Sequence, residues 1–349
     1  MENPRYESEL ALTMQSYKII GGNGSPYSQK LRAIMRYRRI PHVWVLRSKE
    51  LREQLTDVRP MLVPILEYPD GTRRTDSTPL ALDLETRHPG DRSIIHDDPA
   101  LAFLSFLIED MADEWIMKCM FHYRFASAEG RAYGPHWVID DSRPDLIEEA
   151  DFQEAAEVFL ARQSGRMPMV GCTPENGPAI EATYARVLEI MESFVRRDFY
   201  LFGTRPALAD FGLFGQLKTL ATDPVSMAIM RASAPHTEHW LRRMEDGSGV
   251  EGDWRGLADL SPAVVDLLRL VGEVYLPFLQ ANADAAEAGE ERFSMDIRGN
   301  SYAQDVFRYQ IKCLRWLQSD FAGLDAERQA SIRLLLEETG CLAILEARP

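Results

Sequence analysis

The chain has 349 residues, 45% hydrophobic and 27% charged, with a net charge of −15, enough for two or three domains with proper cores. An acidic surface repels phosphate backbones, so nucleic acid is not an expected partner. No run reaches the roughly 18 uncharged apolar residues of a membrane span; the best stretch, Val264 to Leu279, is broken by Asp266, Arg269, Glu273 and Pro277.

Residues 1–15 carry no clear pattern and read as an N-terminal arm, without the basic and apolar regions of a signal peptide. Tyr17 to Ile20 is a short strand ended by Gly21, Gly22, Asn23 and Gly24. Ser25 then reads as a helix N-cap, with Pro26 at the first helical position. Leu31, Ile34 and Met35 give that helix an apolar face. A second strand, Val43 to Leu46, follows, and the strand–helix–strand order predicts a parallel pair. A short polar helix is expected over Ser48 to Leu55, and a third strand over Leu62 to Leu66. Tyr68 to Gly71 has turn chemistry, and Thr72 to Thr75 returns as an edge strand. Ser77 is expected to cap a helix that ends near Arg87.

Beyond Asp98 the strand signal nearly vanishes. Leu101, Leu104, Ile108, Met111, Ala112, Trp115 and Cys119 form one long helical stripe. A Gly/Pro-rich loop is expected over 128–146, and helices over 148–164, 177–197, 207–221, 235–246 and 262–280. The charged segment 281–300 reads as a long loop. Two last helices, 304–321 and 325–339, end at Gly340, a suitable C-terminal cap. Cys119, Cys172, Cys313 and Cys341 are far apart and form no CxxC pair, which predicts free thiols in a reducing compartment.

Three places could carry chemistry. Gly22 to Lys30 joins a strand to a helix N-terminus, where amides and the helix dipole favour a negative charge. A Ser25 hydroxyl there either caps the helix or donates to a thiolate. Pro64 within a strand cannot donate to the ladder and calls for an edge position or a cis bond. Cis geometry would leave the main chain of Val63 free to pair with a peptide-like ligand. Asp76 and Ser77 open a helix. Ser77 suits a carboxylate and Asp76 an ammonium group, together the two ends of an amino acid. On the first helix after Asp98, Glu109, Asp110, Asp113, Glu114 and His122 could be drawn as a metal cluster, and Asp110, Asp113 and Glu114 share a face, but soluble helices often carry such a face and only one histidine is near, so no metal is expected. Trp115, Lys118, Phe121, His122 and Tyr123 are read as core plus the wall of a cleft beside the N-terminal domain.

The ordered set SPYSQKLR, VPIL and DS on a βαβ-ββα layout resembles the glutathione transferases, closely over 17–88 and more loosely to about 246. The resemblance implies an α/β thioredoxin-like N-terminal domain plus an all-α C-terminal domain. The domains are then an arm over 1–15, a glutathione-binding domain over 16–90, a helical domain over 98–246 and a helical extension over 247–349, packed on the helical domain. It implies Ser25 as the residue that activates the glutathione sulfur, with Asn23, Tyr27 and Ser28 as alternatives. It implies Val63 as the partner of the cysteinyl main chain, Pro64 as a cis proline, and Asp76 with Ser77 as the seat of the γ-glutamyl end. In GTRPALADFGL, Asp210 matches the family's helix entry, but Ala207 stands at the capping position, which predicts reduced local stability. The expected protein is a cytoplasmic homodimeric transferase. Its co-substrate would be glutathione and its second substrate a small electrophilic or hydrophobic molecule. The alternative is a non-catalytic glutathione-binding or scaffold protein of the same fold.

Overall fold

The computed structural model describes residues 16–46 and 49–347; the expected arm over 1–15, and Ser48 at the start of the expected polar helix, lie outside them. The N-terminal domain runs β1 (Tyr17–Gly21), α1 (Pro26–Tyr37), β2 (His42–Leu46), α2 (Lys49–Gln54), β3 (Ile65–Glu67), β4 (Arg73–Thr75) and α3 (Ser77–Arg87). The sheet order is β2-β1-β3-β4. β1 pairs parallel with β2 and antiparallel with β3, and β3 pairs antiparallel with β4. This is the thioredoxin-like layout that the sequence pattern predicts. Side chains alternate across β1: Tyr17 and Ile19 pack with Leu31, Met35, Leu66 and Leu80 on one face, while Ile20 packs with Leu55, Val58 and Ile65 on the other.

The rest is mainly helical. It runs α4 (Pro99–Met111), α5 (Met117–Phe125), α6 (Ala128–Ser142), α7 (Glu149–Ser164), α8 (Gly177–Phe194), α9 (Leu208–Leu220), α10 (Pro224–Ser233) and α11 (Pro235–Met244). Then come α12 (Pro262–Leu270), α13 (Leu276–Glu287), β5 (Arg292–Ile297), β6 (Asn300–Asp305), α14 (Arg308–Gly323), α15 (Ala326–Glu338) and α16 (Leu342–Leu345). α4 and α5 are one continuous rod with a widened π-type turn at Ala112–Ile116, a device that shifts the side-chain register along a helix.

Four expectations are corrected. The Gly/Pro-rich stretch 128–146 is not a loop: most of it is α6, capped by Ser127, whose hydroxyl accepts from the Gly130 amide at 2.9 Å. Gly130 is required there because a Cβ would collide with the Tyr123 carbonyl. α10 was not anticipated, although Asp223-Pro224 has start chemistry. Segment 281–300 is not a loop: α13 continues into it and β5 then pairs with β6. The strand Leu62 to Leu66 begins only at Ile65, so Pro64 precedes the ladder and takes no place in it. At the helix 207–221, Asp210 accepts from the amides of Ala207 (2.9 Å) and Leu201 (3.1 Å). Half of a capping box therefore stands, since Ala207 has no side-chain acceptor.

The elements after residue 260 share one apolar core with those before it: Phe103 lies 5.5 Å from Phe321 of α14 and Trp115 lies 5.1 Å from Tyr302 of β6, centroid to centroid.

Candidate functional site

Sheet register brings the three candidate segments to one edge. Ile20, Ile65 and Thr75 are aligned across β1, β3 and β4. The Gly22–Ser25 loop leaves just beyond Ile20, Val63 and Pro64 lie just before Ile65, and Asp76 follows Thr75. With strands about 4.8 Å apart, the three segments fit within the reach of one tripeptide. The Thr75 hydroxyl lies 3.0 Å from the carbonyls of both Leu62 and Pro64 and ties the last two segments together.

Ser25 is the N-cap of α1, half-buried, and its hydroxyl accepts from the Ser28 amide at 3.2 Å. That bond uses an oxygen lone pair and leaves the hydroxyl proton for another acceptor. The alternatives are more committed. The Tyr27 hydroxyl donates to the Asp113 carbonyl at 2.9 Å, and burial pushes its pKa well up. Ser28 is the exception: it is fully buried and its hydroxyl has no hydrogen-bond partner among the described residues, so only its burial sets it apart from Ser25. Asn23 is clamped by Asp141 through its amide N–H (2.7 Å) and its side-chain NH₂. Arg124 also donates to the Gly24 carbonyl at 2.9 Å, so α5 and α6 hold the loop from outside the domain.

The Val63–Pro64 peptide is cis, as is Arg59–Pro60. Asp76 stands in the left-handed region, at φ 83°, and it, not Ser77, is the residue before the helix. Ser77 is the first residue of α3; its hydroxyl is buried and has no hydrogen-bond partner among the described residues. The expected cap is therefore corrected by one residue. Asp76 is exposed overall, but loss of water around its carboxyl raises its pKa, with Lys30 opposing.

Beneath this edge lies a buried charge network that sequence reasoning missed. Lys30 on α1 is fully buried. It donates to Thr78 at 2.9 Å and pairs with Asp113 at 2.6 Å and with Glu109. Burial raises the Glu109 pKa to about 7, against the pull of Lys30. Burial likewise raises Glu114 to about 7. The Asp110 carboxylate accepts from the Tyr275 hydroxyl at 2.6 Å, and Glu114 from Gln310 at 3.4 Å. The predicted acidic face is thus shared among the N-terminal domain and two later helices. Among the described residues no metal-holding group occurs. The apolar spacing of α1 pointed to Leu31, Ile34 and Met35 and gave no hint that Lys30 lies inside.

The predicted cleft wall is corrected as well. Trp115 and Lys118 are fully buried against the β5–β6 hairpin, and Lys118 donates to Val170 O and Gln304 Oε1, both at 2.8 Å. His122 bonds Glu181 at 2.8 Å, and Tyr123 packs on Tyr184. These residues face the helical part. Besides Arg124 of α5, the residues beside the Gly22–Ser25 loop come from α6: a Cβ at Gly24 would lie 2.8 Å from Val138 and 3.4 Å from Trp137.

Residues 24–87 match the family model of the glutathione S-transferase N-terminal domain. The match shows a glutathione S-transferase-type N-terminal domain over that segment of the chain. Among solved structures the chain is similar to a glutathione S-transferase from Rhodospirillum rubrum F11, with 18% identity over 72% of this chain and 91% of that one, at TM-score 0.42. It is similar to a beta-etherase from Sphingobium sp. strain SYK-6, with 19% identity over 72% and 98%, at TM-score 0.47. A third is a glutathione S-transferase from Methylobacillus flagellatus KT with glutathione bound, with 20% identity over 67% and 96%, at TM-score 0.42. TM-scores below 0.5 are too low to transfer a ligand or a reaction. No curated protein sequence matches the chain.

Proposed function

We propose that the chain is a glutathione transferase that binds glutathione along this sheet edge and holds its sulfur as a thiolate for attack on a small electrophile. The observation that carries this reading is the register that sets Ser25, Val63 and Asp76–Ser77 at the same end of three adjacent strands. The γ-glutamyl ammonium would meet Asp76, and its carboxylate the unpartnered Ser77 hydroxyl. The cysteinyl main chain would pair with Val63. The sulfur would then face Ser25 at the start of α1, where the hydroxyl proton and the helix dipole both favour negative charge. Catalysis would rest on thiolate stabilisation and positioning, without a covalent enzyme intermediate.

Ser25→Ala tests this without knowledge of the acceptor. The ultraviolet absorbance of bound thiolate, followed against pH, reports the pKa of glutathione on the protein. A hydrogen bond to a charged group contributes roughly 1.5–3 kcal/mol, so the variant should raise that pKa by about one unit or more. Glutathione affinity should change less, because the Val63, Asp76 and Ser77 contacts remain. Loss of the cap should also cost about 1 kcal/mol of stability. An unchanged thiolate profile in Ser25→Ala would remove the proposed role.

One observation favours the second reading, binding without activation. The Asn23 amide already has a carboxylate partner in Asp141, which subtracts one donor from the loop. A bound glutathione whose thiol titrates as it does free in solution would support that reading.

A further inference from the structure

Asp76 has a partner 233 residues away in the chain. The Tyr309 hydroxyl, on the first turn of α14, donates to Asp76 Oδ2 at 3.4 Å. Tyr309 is 39% exposed, so it is a rim residue and not part of the core. The chain on both sides of it is fixed. The Phe307 amide donates to Asn282 Oδ1 at 2.8 Å and Asn282 Nδ2 donates to the Phe307 carbonyl at 3.0 Å. Gln310 is buried, accepts from Gln304 at 3.1 Å and donates to Glu114. A surface phenol between two anchored neighbours is preorganised, and here it is aimed at the one exposed carboxylate of the candidate site that adjoins an unpartnered buried hydroxyl, that of Ser77.

We infer that Tyr309 is a positioning residue, supplied by the C-terminal extension, that orients Asp76 towards the ammonium group of the ligand's amino-acid end. The inference rests on the glutathione reading of the sheet edge. The extension thereby makes the site selective for a thiol ligand that carries a free α-amino group, over one of the same length without it. The physical basis is rotamer restriction: an exposed carboxylate without a neighbour samples several orientations, and each bond that fixes it reduces what binding must order.

The test is calorimetric titration of the full chain with two probes, glutathione and its des-amino counterpart, in which a glutaryl group replaces the γ-glutamyl group. Wild type, Tyr309→Phe and Asp76→Asn are compared. Tyr309→Phe keeps the ring and removes the donor. It is expected to weaken glutathione by about threefold to tenfold, the size of one exposed hydrogen bond, and to leave the des-amino probe within about twofold. Asp76→Asn is expected to weaken glutathione at least as much and to abolish the preference between probes. If Asp76→Asn weakens glutathione and Tyr309→Phe does not, the role of Tyr309 is overturned and the glutathione reading stands. If Tyr309→Phe weakens both probes alike, the residue is structural and the inference fails. If wild type binds neither probe, or Asp76→Asn changes nothing, the reading beneath the inference fails with it.

Discussion

Lys30 and Lys118 are both fully buried, and the chain treats them in opposite ways. Lys30 has two carboxylates and a hydroxyl, which outweigh the cost of burial and raise its pKa. Lys118 has no bonded carboxylate: it meets two neutral oxygens and the face of Phe278 at 4.6 Å, and burial lowers its pKa to about 8. The usual value is 10.5. Between pH 8 and 10.5 the unfolded lysine holds its proton while the folded one has released it. The unfolded state then binds more protons, so this residue's contribution to stability rises with pH across that window. Relative to Lys118→Met, wild type should gain on the order of 3 kcal/mol from the bottom of the window to the top, read by denaturant unfolding at several pH values. A difference independent of pH would show that Lys118 has the same pKa folded and unfolded, and would contradict the downward shift. At this scale the sequence was partly legible. Ser25 announced itself by the strand, glycine, Pro26 context of an N-cap. Lys30 did not, because the carboxylates that justify its burial lie about eighty residues further along.

Among elements, α9 sets how closely the helical part approaches the site. Its Gly215 faces the start of α1: a Cβ there would lie 2.6 Å from the Pro26 carbonyl and 3.0 Å from Lys30 Cβ. Gly215→Ala must therefore push apart the helix that carries Ser25 and the helix that supports it. The expected cost is about 1–3 kcal/mol of stability, with weaker glutathione binding in the same variant; a gain in melting temperature would contradict the packing. Elements were legible where a periodic pattern stood alone, as in β1, α1 and the rod of α4 and α5. They were lost where turn residues outvoted it. Gly130, Gly134 and Pro135 hid α6, whose glycines answer to close packing against α5 rather than to chain reversal. The β5–β6 hairpin did leave a signal: Phe293, Met295 and Ile297 alternate. They lead into Arg298-Gly299, both at positive φ (52° and 83°), as a two-residue turn demands.

At the scale of the molecule, the extension is neither an appendage nor a remote domain. Its helices contribute Phe278, Leu317, Phe321 and Leu336 to the core that Phe103 and Trp115 also build, and its first turn after β6 reaches the sheet edge through Tyr309. Sequence patterning showed that 304–339 had apolar faces to bury. It could not show that one end would meet Asp76, since that contact depends on how α13, the hairpin and α14 fold back together. The central claim is that glutathione lies across the ends of β1, β3 and β4. A structure determined with glutathione tests it most directly. The account predicts the γ-glutamyl end at Asp76 and Ser77, the cysteinyl main chain paired with Val63, and the sulfur within hydrogen-bond distance of the Ser25 hydroxyl. Glutathione held elsewhere on the chain, or absent from this edge at millimolar concentration, would contradict it.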